Sequence, residues 1–339
     1  MRRVPFLGIP HRHLPYRTPS ATLSFPFLYR WTPMASTTAA ARRSKKIVVI
    51  MGPTGCGKSK LSIDLASRFF RASEIINSDK IQIYRGLDIT TNKITFPERR
   101  SVPHSLLGEF DPSESHPEFT PSDFRSAAAA AISRIHARRN IPFVVGGSNS
   151  FVYALLAKTF DAAVDVFGDG EAAEAFCKEL RYNCCFIWVD ASPAVLNQYL
   201  VKRVDAMVDL GMVEELSEYL ASDESDSVSQ CGLRKAIGVA EFGRYFQKLR
   251  NGPADDVARR AAYDSEVRAI KDNTCQLAKR QLGKIRRLRD AAGWDLKRVD
   301  ATAALRAAMG GAARRRTAEI WEKQVLEPSV KIVKQFLME

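Results

Sequence analysis

The first strong pattern in the chain is an unbroken apolar run, Ile47-Val-Val-Ile-Met51, that stops at a glycine-rich turn and gives way to a helical stripe of Leu61, Ile63, Leu65, Ala66 and Phe69. A short run with no polar alternation predicts a strand covered on both faces, and the 3–4 spacing after it predicts an amphipathic helix. The pattern then repeats. Glu74–Tyr84 reads as a short apolar strand ending in polar residues, and Pro121 opens an Ala-rich helix to about Arg139. Ile141–Val145 reads as a strand leading through Gly146-Gly147 into a helix, and Cys184–Asp190 as a further buried strand. Strands alternating with helices predict an α/β fold with a parallel sheet.

From Pro193 the periodicity changes. Val195, Tyr199, Val204 and Val208 share a helix face, Gly211 separates a second helix at 212–220, and Leu233 begins another. A basic helix is expected from about Ala254 to Arg289, carrying Lys271, Lys279, Arg280, Lys284, Arg286 and Arg287. Such a face either contacts phosphates or is simply solvated. Gly293–Asp300 reads as a last strand and is followed by a C-terminal helix. The expected organisation is a tail at 1–44, an α/β core at 45–195, a helical region at 196–292, and a returning strand and helix at 293–339. The segments 86–120, 160–176 and 222–230 read as irregular.

Charge sharpens the reading of the tail. The formal net charge is +13, but residues 1–46 hold nine Arg and Lys and no acid. Of the 51 basic residues, 42 therefore remain beyond the tail against 38 acidic ones, a net +4. The tail is rich in Arg, Ser, Thr, Ala and Pro, which fits an organellar transit peptide of a plastid or a mitochondrion. A cytosolic extension is the alternative, and Met34 offers a second possible start. No stretch approaches eighteen apolar residues, so no membrane span is expected. The six cysteines show no C-x-x-C pair and no Cys/His cluster with zinc spacing, and His11 and His13 lie in the tail.

Chemistry concentrates at Gly52-Pro53-Thr54-Gly55-Cys56-Gly57-Lys58-Ser59, which fits G-x-x-x-x-G-K-[ST] at every fixed position. Glycines let backbone N–H groups turn inward to cradle an anion at a helix N-terminus, Lys58 adds a point charge, and the Ser59 hydroxyl suits Mg²⁺. Asp79 follows the next strand, where ligands sit in parallel sheets; it is either chemically active or the cap of a turn at Lys80–Tyr84. Gly146 and Gly147 either aim further polar groups at the same ligand or only make a tight connection. Asp190 reads as a magnesium-binding acid or a cap.

Several blocks together resemble the isopentenyltransferase family: Gly52–Ser59, Ile76–Lys93, Pro103-His104, Asp123-Phe124-Arg125, Gly146–Ser150, Arg203–Val208, Lys235–Val239 and Leu277–Leu282. They run in family order across about residues 46–300. The Thr91-Asn92-Lys93 and Cys184–Asp190 segments, with no C2H2-type extension, are similar to the plant branch that prenylates free adenine nucleotides to make cytokinins. The other branch prenylates adenosine in tRNA, and the small net charge of the body argues against that partner. Ser105 and Cys56 depart from common family residues (His and Thr).

The resemblance implies a P-loop NTPase-like core and transfer of a dimethylallyl group from its diphosphate to the N6 amine of ATP or ADP, with AMP less favoured. It implies Asp79 as base and Thr54, Lys58, Ser59 and Arg203 holding the diphosphate with Mg²⁺. Ser148 and Asn149 are expected near the channel, and Arg234, Lys235 and Lys279 near nucleotide phosphates. It lowers the weight of Asp190 as a metal ligand. A monomer and a plastid location are further expectations, and a small-molecule kinase is a remote alternative that the loop alone allows.

Overall fold

A computed structural model describes residues 45–111, 118–168, 176–222, 232–252, 255–311 and 313–339. The tail, Cys231, residues 169–175 of the loop expected at 160–176 and residues 223–230 of that expected at 222–230 lie outside the described residues. Arg43–Glu339 hold together as one unit.

Strands β1 (Lys46–Met51), β2 (Ser73–Asn77), β3 (His104–Ser105), β4 (Ile141–Gly146), β5 (Asn183–Asp190) and β6 (Leu296–Asp300) form one sheet in the order β3-β2-β4-β1-β5-β6. Every pairing is parallel. Strand β1 lies at the centre, with Val48 opposite Phe143 on one side and Cys185 on the other.

Helices cover both faces, which is why β1 needs no polar residue. Ile47, Val49 and Met51 join a core with α2 (Pro121–Ala137) and α3 (Asn149–Leu156). Val48 and Ile50 face the opposite core, with α1 (Lys58–Arg68) and the chain's last helices. The start of α2 is fixed locally. The Thr120 hydroxyl accepts from the Asp123 N–H, the Asp123 carboxylate accepts from the Thr120 N–H, and Pro121 occupies the first turn.

The helical region comprises α4 (Pro193–Asp209), α5 (Met212–Ser222), a 3-10 turn at Gly232–Lys235, α6 (Val239–Asn251) and α7 (Asp256–Asp290). Its own core gathers Val204, Met207, Met212, Leu216, Phe242 and Ile270 around Ile83, Tyr84 and Leu87 from the segment after β2. Helix α7 has 35 residues and is roughly 52 Å long at 1.5 Å per residue. Its buried positions, Glu266, Ile270, Thr274, Ala278, Gln281, Ile285 and Leu288, run along one stripe from that core to the sheet.

Strand β2 ends at Asn77, and just past it the Asp79 carboxylate takes the N–H groups of Ile81 and Gln82 and turns the chain, as its expected place after the strand requires. Two local expectations are corrected. His104-Ser105, expected in an irregular stretch, pairs with Ile75 and Ile76 as an edge strand. The single C-terminal helix resolves into α8 (Thr302–Met309), α9 (Arg314–Trp321) and α10 (Glu327–Met338), with a π-helical turn at Glu322–Leu326 joining the last two. None of the described helices is long and apolar enough to cross a membrane.

Candidate active site

The glycine-rich turn crosses from the C-terminal end of β1 to the N-terminus of α1. Gly57 caps that helix at φ 93°, a backbone conformation side chains disfavour, and a Cβ there would stand 2.7 Å from Cη2 of Trp321. Lys58 Nζ donates to the Pro53 carbonyl at 2.8 Å, arching its stem back over the turn. Cys56 points the other way. Its side chain is wholly buried, and burial pushes the thiol pKa up despite the nearby Lys58.

Two elements outside the motif pin this turn. From α7, the Gln281 Oε1 accepts from the Thr54 N–H at 2.7 Å. From α4, Arg203 Nη1 donates to the Thr54 hydroxyl at 3.1 Å. Burial pulls the guanidinium pKa down, while Tyr199, Cys56 and Asp79 pull it back up. Its Nε is buried without a hydrogen-bond partner, a donor left over inside a protein where such groups are costly.

The β2 and β4 ends form one assembly. A Cβ on Gly146 would stand 2.4 Å from the Ser78 backbone, so only glycine permits the approach. Ser148 N–H donates to the Ser78 carbonyl at 3.2 Å, and Lys80 N–H donates to the Ser148 hydroxyl at 2.8 Å. This stitching presents Asp79. Its Oδ1 accepts from Ile81 and Gln82 at 2.9 and 3.2 Å, so it does cap the turn.

A cavity of about 660 Å³ joins these parts. Its wall includes Thr54, Gly55, Gly57, Lys58 and Ser59 of the loop, with Asp79, Gly146, Gly147, Arg203 and Gln281. The sequence-predicted loop, Asp79 and Arg203 are thus brought together. Ser148 and Asn149 are not on the wall. Ser148 bonds across the two turns, and Asn149, 2% exposed, donates to the Gln281 carbonyl at 3.1 Å. They brace the wall from behind.

Arg234, Lys235 and Lys279 do not line this cavity either. Lys235 pairs with Glu118, and Lys279 lies exposed on α7, off the stripe that carries Gln281. Elsewhere on that helix Lys271 pairs with Asp205, and Arg287 donates to the carbonyls of Val166 and Gly168. Asp190 is also off the cavity. Its Oδ2 accepts from Arg298 Nε at 2.7 Å, and the charge is spent inside the protein.

Gln281 is the site residue that sequence reasoning passed over. A signal was present: it is a polar residue on the apolar stripe of a helix, one place after two flanking cations that drew attention instead. Among the described residues no group of three His, Cys, Asp or Glu side chains could hold a metal ion. The loop offers the Ser59 hydroxyl to a cation, while the wall carboxylate of Asp64 on the same helix is held by Lys60, Arg100 and Trp321, so a cation there needs a ligand's own oxygens. The site fits a Mg²⁺ carried in by a diphosphate.

The chain matches the IPP transferase family over residues 82–175 and 167–288. It is 56% identical to an adenylate isopentenyltransferase of Humulus lupulus, covering 86% of this chain and 90% of that one. It is 52% identical to adenylate isopentenyltransferase 1, chloroplastic, of Arabidopsis thaliana, over 88% of this chain and 82% of that one. Among solved structures, a eukaryotic dimethylallyltransferase acting on tRNA superposes with a TM-score of 0.69 at 25% identity, covering 87% of this chain and 80% of its own. The chain belongs to the IPP transferase family.

Proposed function

We propose that this protein is an adenylate dimethylallyltransferase, moving the dimethylallyl group of dimethylallyl diphosphate to the N6 amine of ATP or ADP. The observation that carries the reading is the single cavity where the phosphate loop, Arg203 and Asp79 meet. Relatives above half identity, named for adenylate as the acceptor, support the acceptor class.

The reaction breaks the donor's carbon–oxygen bond and forms a carbon–nitrogen bond. An exocyclic amine conjugated to a purine is a weak nucleophile and must lose a proton as it attacks. Asp79 suits the task, because Oδ1 is occupied by two backbone N–H groups and Oδ2 is left for the proton. The departing diphosphate gathers negative charge, which the loop N–H groups, Lys58 and Arg203 would balance. The buried, unpartnered Nε of Arg203 gives that guanidinium a donor for an anion. A Mg²⁺ held by Ser59 and the diphosphate would add Lewis-acid stabilisation of the leaving group.

The test incubates the folded protein with dimethylallyl diphosphate, Mg²⁺ and ATP, ADP or AMP in parallel, with detection of an isopentenyl adduct by mass spectrometry. Absence of any adduct would end the reading. A second reading is transfer to tRNA, favoured by the likeness to an enzyme acting on tRNA. It predicts prenylated adenosine in an anticodon stem-loop substrate and binding that weakens steeply with salt. Residues 1–44 are proposed to direct the protein to the plastid, with the mitochondrion as the alternative that the same composition allows. A fusion of that segment to a fluorescent protein reports which. A monomer is proposed, and light scattering on the eluting protein checks it.

A further inference from the structure

The cavity wall holds a buried carboxylate that the proposed reaction does not use. Asp64, on α1 just past the phosphate loop, is 2% exposed. It accepts from Lys60 Nζ at 2.5 Å and from Arg100 Nη1 at 3.0 Å, both from the same wall. Its third partner comes from the far end of the chain, where Trp321 Nε1 donates to Asp64 Oδ2 at 2.9 Å. The indole does two more things. Its ring edge abuts Gly57, the residue capping α1, and Lys60 Nζ stands 4.7 Å from its ring centroid. The site of the π-helical turn that follows agrees, since such turns collect at functional places and this one pairs Glu322 with Arg68 of α1.

We propose that Trp321 is a positioning residue for the diphosphate-binding loop. Its ring sets the Gly57 backbone at the start of α1, and its N–H fixes Asp64, which in turn aims Lys60 and Arg100 at the cavity. The family match ends at residue 288, so this contact belongs to the chain beyond it. A donor whose diphosphate draws Lys60 or the loop backbone toward itself must change the surroundings of the indole. Trp321 is therefore also a built-in fluorescent reporter of diphosphate binding.

The inference rests on the reading that the loop holds a diphosphate, and the experiment separates the two. Inorganic diphosphate with Mg²⁺ is titrated into the parent and into Trp321→Phe, followed by calorimetry and by tryptophan emission, with steady-state kinetics alongside. The phenyl ring keeps much of the packing and loses the N–H. Expected are an emission change in the parent that is absent in Trp321→Phe, and a donor KM raised on the order of tenfold, the weight of one hydrogen bond to a charge. The acceptor KM stays within about twofold, which a general loss of structure would not spare.

Asp64→Asn is the second variant. It leaves an acceptor for the indole but weakens the hold on Lys60 and Arg100, and should raise the donor KM while keeping an emission response. Failure of the parent to bind diphosphate would overturn the reading of the loop and this inference together. A parent that binds and turns over, with unchanged donor KM and emission response in Trp321→Phe, would overturn this inference alone.

Discussion

Replacing Asp79 separates the two tasks its carboxylate performs. Oδ1 takes the N–H groups of Ile81 and Gln82, while the side chain also lines the cavity. Asp79→Asn keeps an amide oxygen for the two N–H groups but cannot accept the substrate proton. Its melting temperature should stay within a degree or two of the parent, while kcat falls by about 10²–10⁴, the usual contribution of a positioned general base. That loss equals roughly 3–5 kcal/mol of transition-state stabilisation. Asp79→Ala removes both functions. Loss of a capping acceptor costs about 1 kcal/mol, which in a folded body of this size lowers the melting temperature by roughly 2–4 °C. Initial rates of prenyl-adenylate formation, read by chromatography, and thermal unfolding of the same preparations give both numbers. An Asp79→Asn variant retaining more than a tenth of parental kcat would refute the base assignment. An Asp79→Ala variant losing well over 10 °C would show the turn to be a structural keystone instead.

Arg203→Lys should cut kcat/KM by about 10²–10³, as loss of one preorganised donor to a leaving oxyanion does, since a lysine cannot serve Thr54 and a phosphate from one planar fork; near-parental kinetics would remove Arg203 from the site. Burial holds the pKa of His104 and of His136 below the usual histidine range. The unfolded chain therefore takes up protons first, and stability present above about pH 6.5 is lost as pH falls below it. Melting temperatures from pH 8 to 5 should show this decline, with a shallower slope in His104→Gln; an unchanged slope would count against it. Cys56 is buried with its thiol pKa raised, so iodoacetamide should label Cys177, whose thiol pKa is lowered, well before Cys56. Peptide mapping that finds Cys56 modified first would contradict the burial.

Much of this site could be read without coordinates because backbone chemistry dictates it. The loop glycines and Lys58 are demanded by phosphate binding, and the unbroken Ile47–Met51 run by helices on both faces. From position alone Asp79 reads as either cap or catalyst, and the structure gives it the cap contacts and the cavity wall together. What escaped depends on contacts between distant segments. Gln281 reaches Thr54 across 227 positions, and Trp321 reaches Asp64 across 257. Nothing local to either residue announces its partner. The cations Arg234, Lys235 and Lys279 drew attention because charge is visible in a sequence and side-chain direction is not. Lys279 differs from Gln281 by half a helical turn, which places one in solvent and the other on the cavity wall.

The approach of Gly146 to Ser78 limits how this chain can drift in sequence. Backbone atoms at 2.4 Å from any added Cβ leave no rotamer to search and no flexible tip to move aside. Position 146 can change only if the Asp79 turn moves in the same step, and a moved turn carries the carboxylate off its line to the cavity. In a library covering every single substitution, residue 146 should tolerate none, while Gly252 and Gly283, with open space where a Cβ would go, accept many. The two turns are inherited as a pair, and a graft of this chemistry into another sheet would have to transplant both.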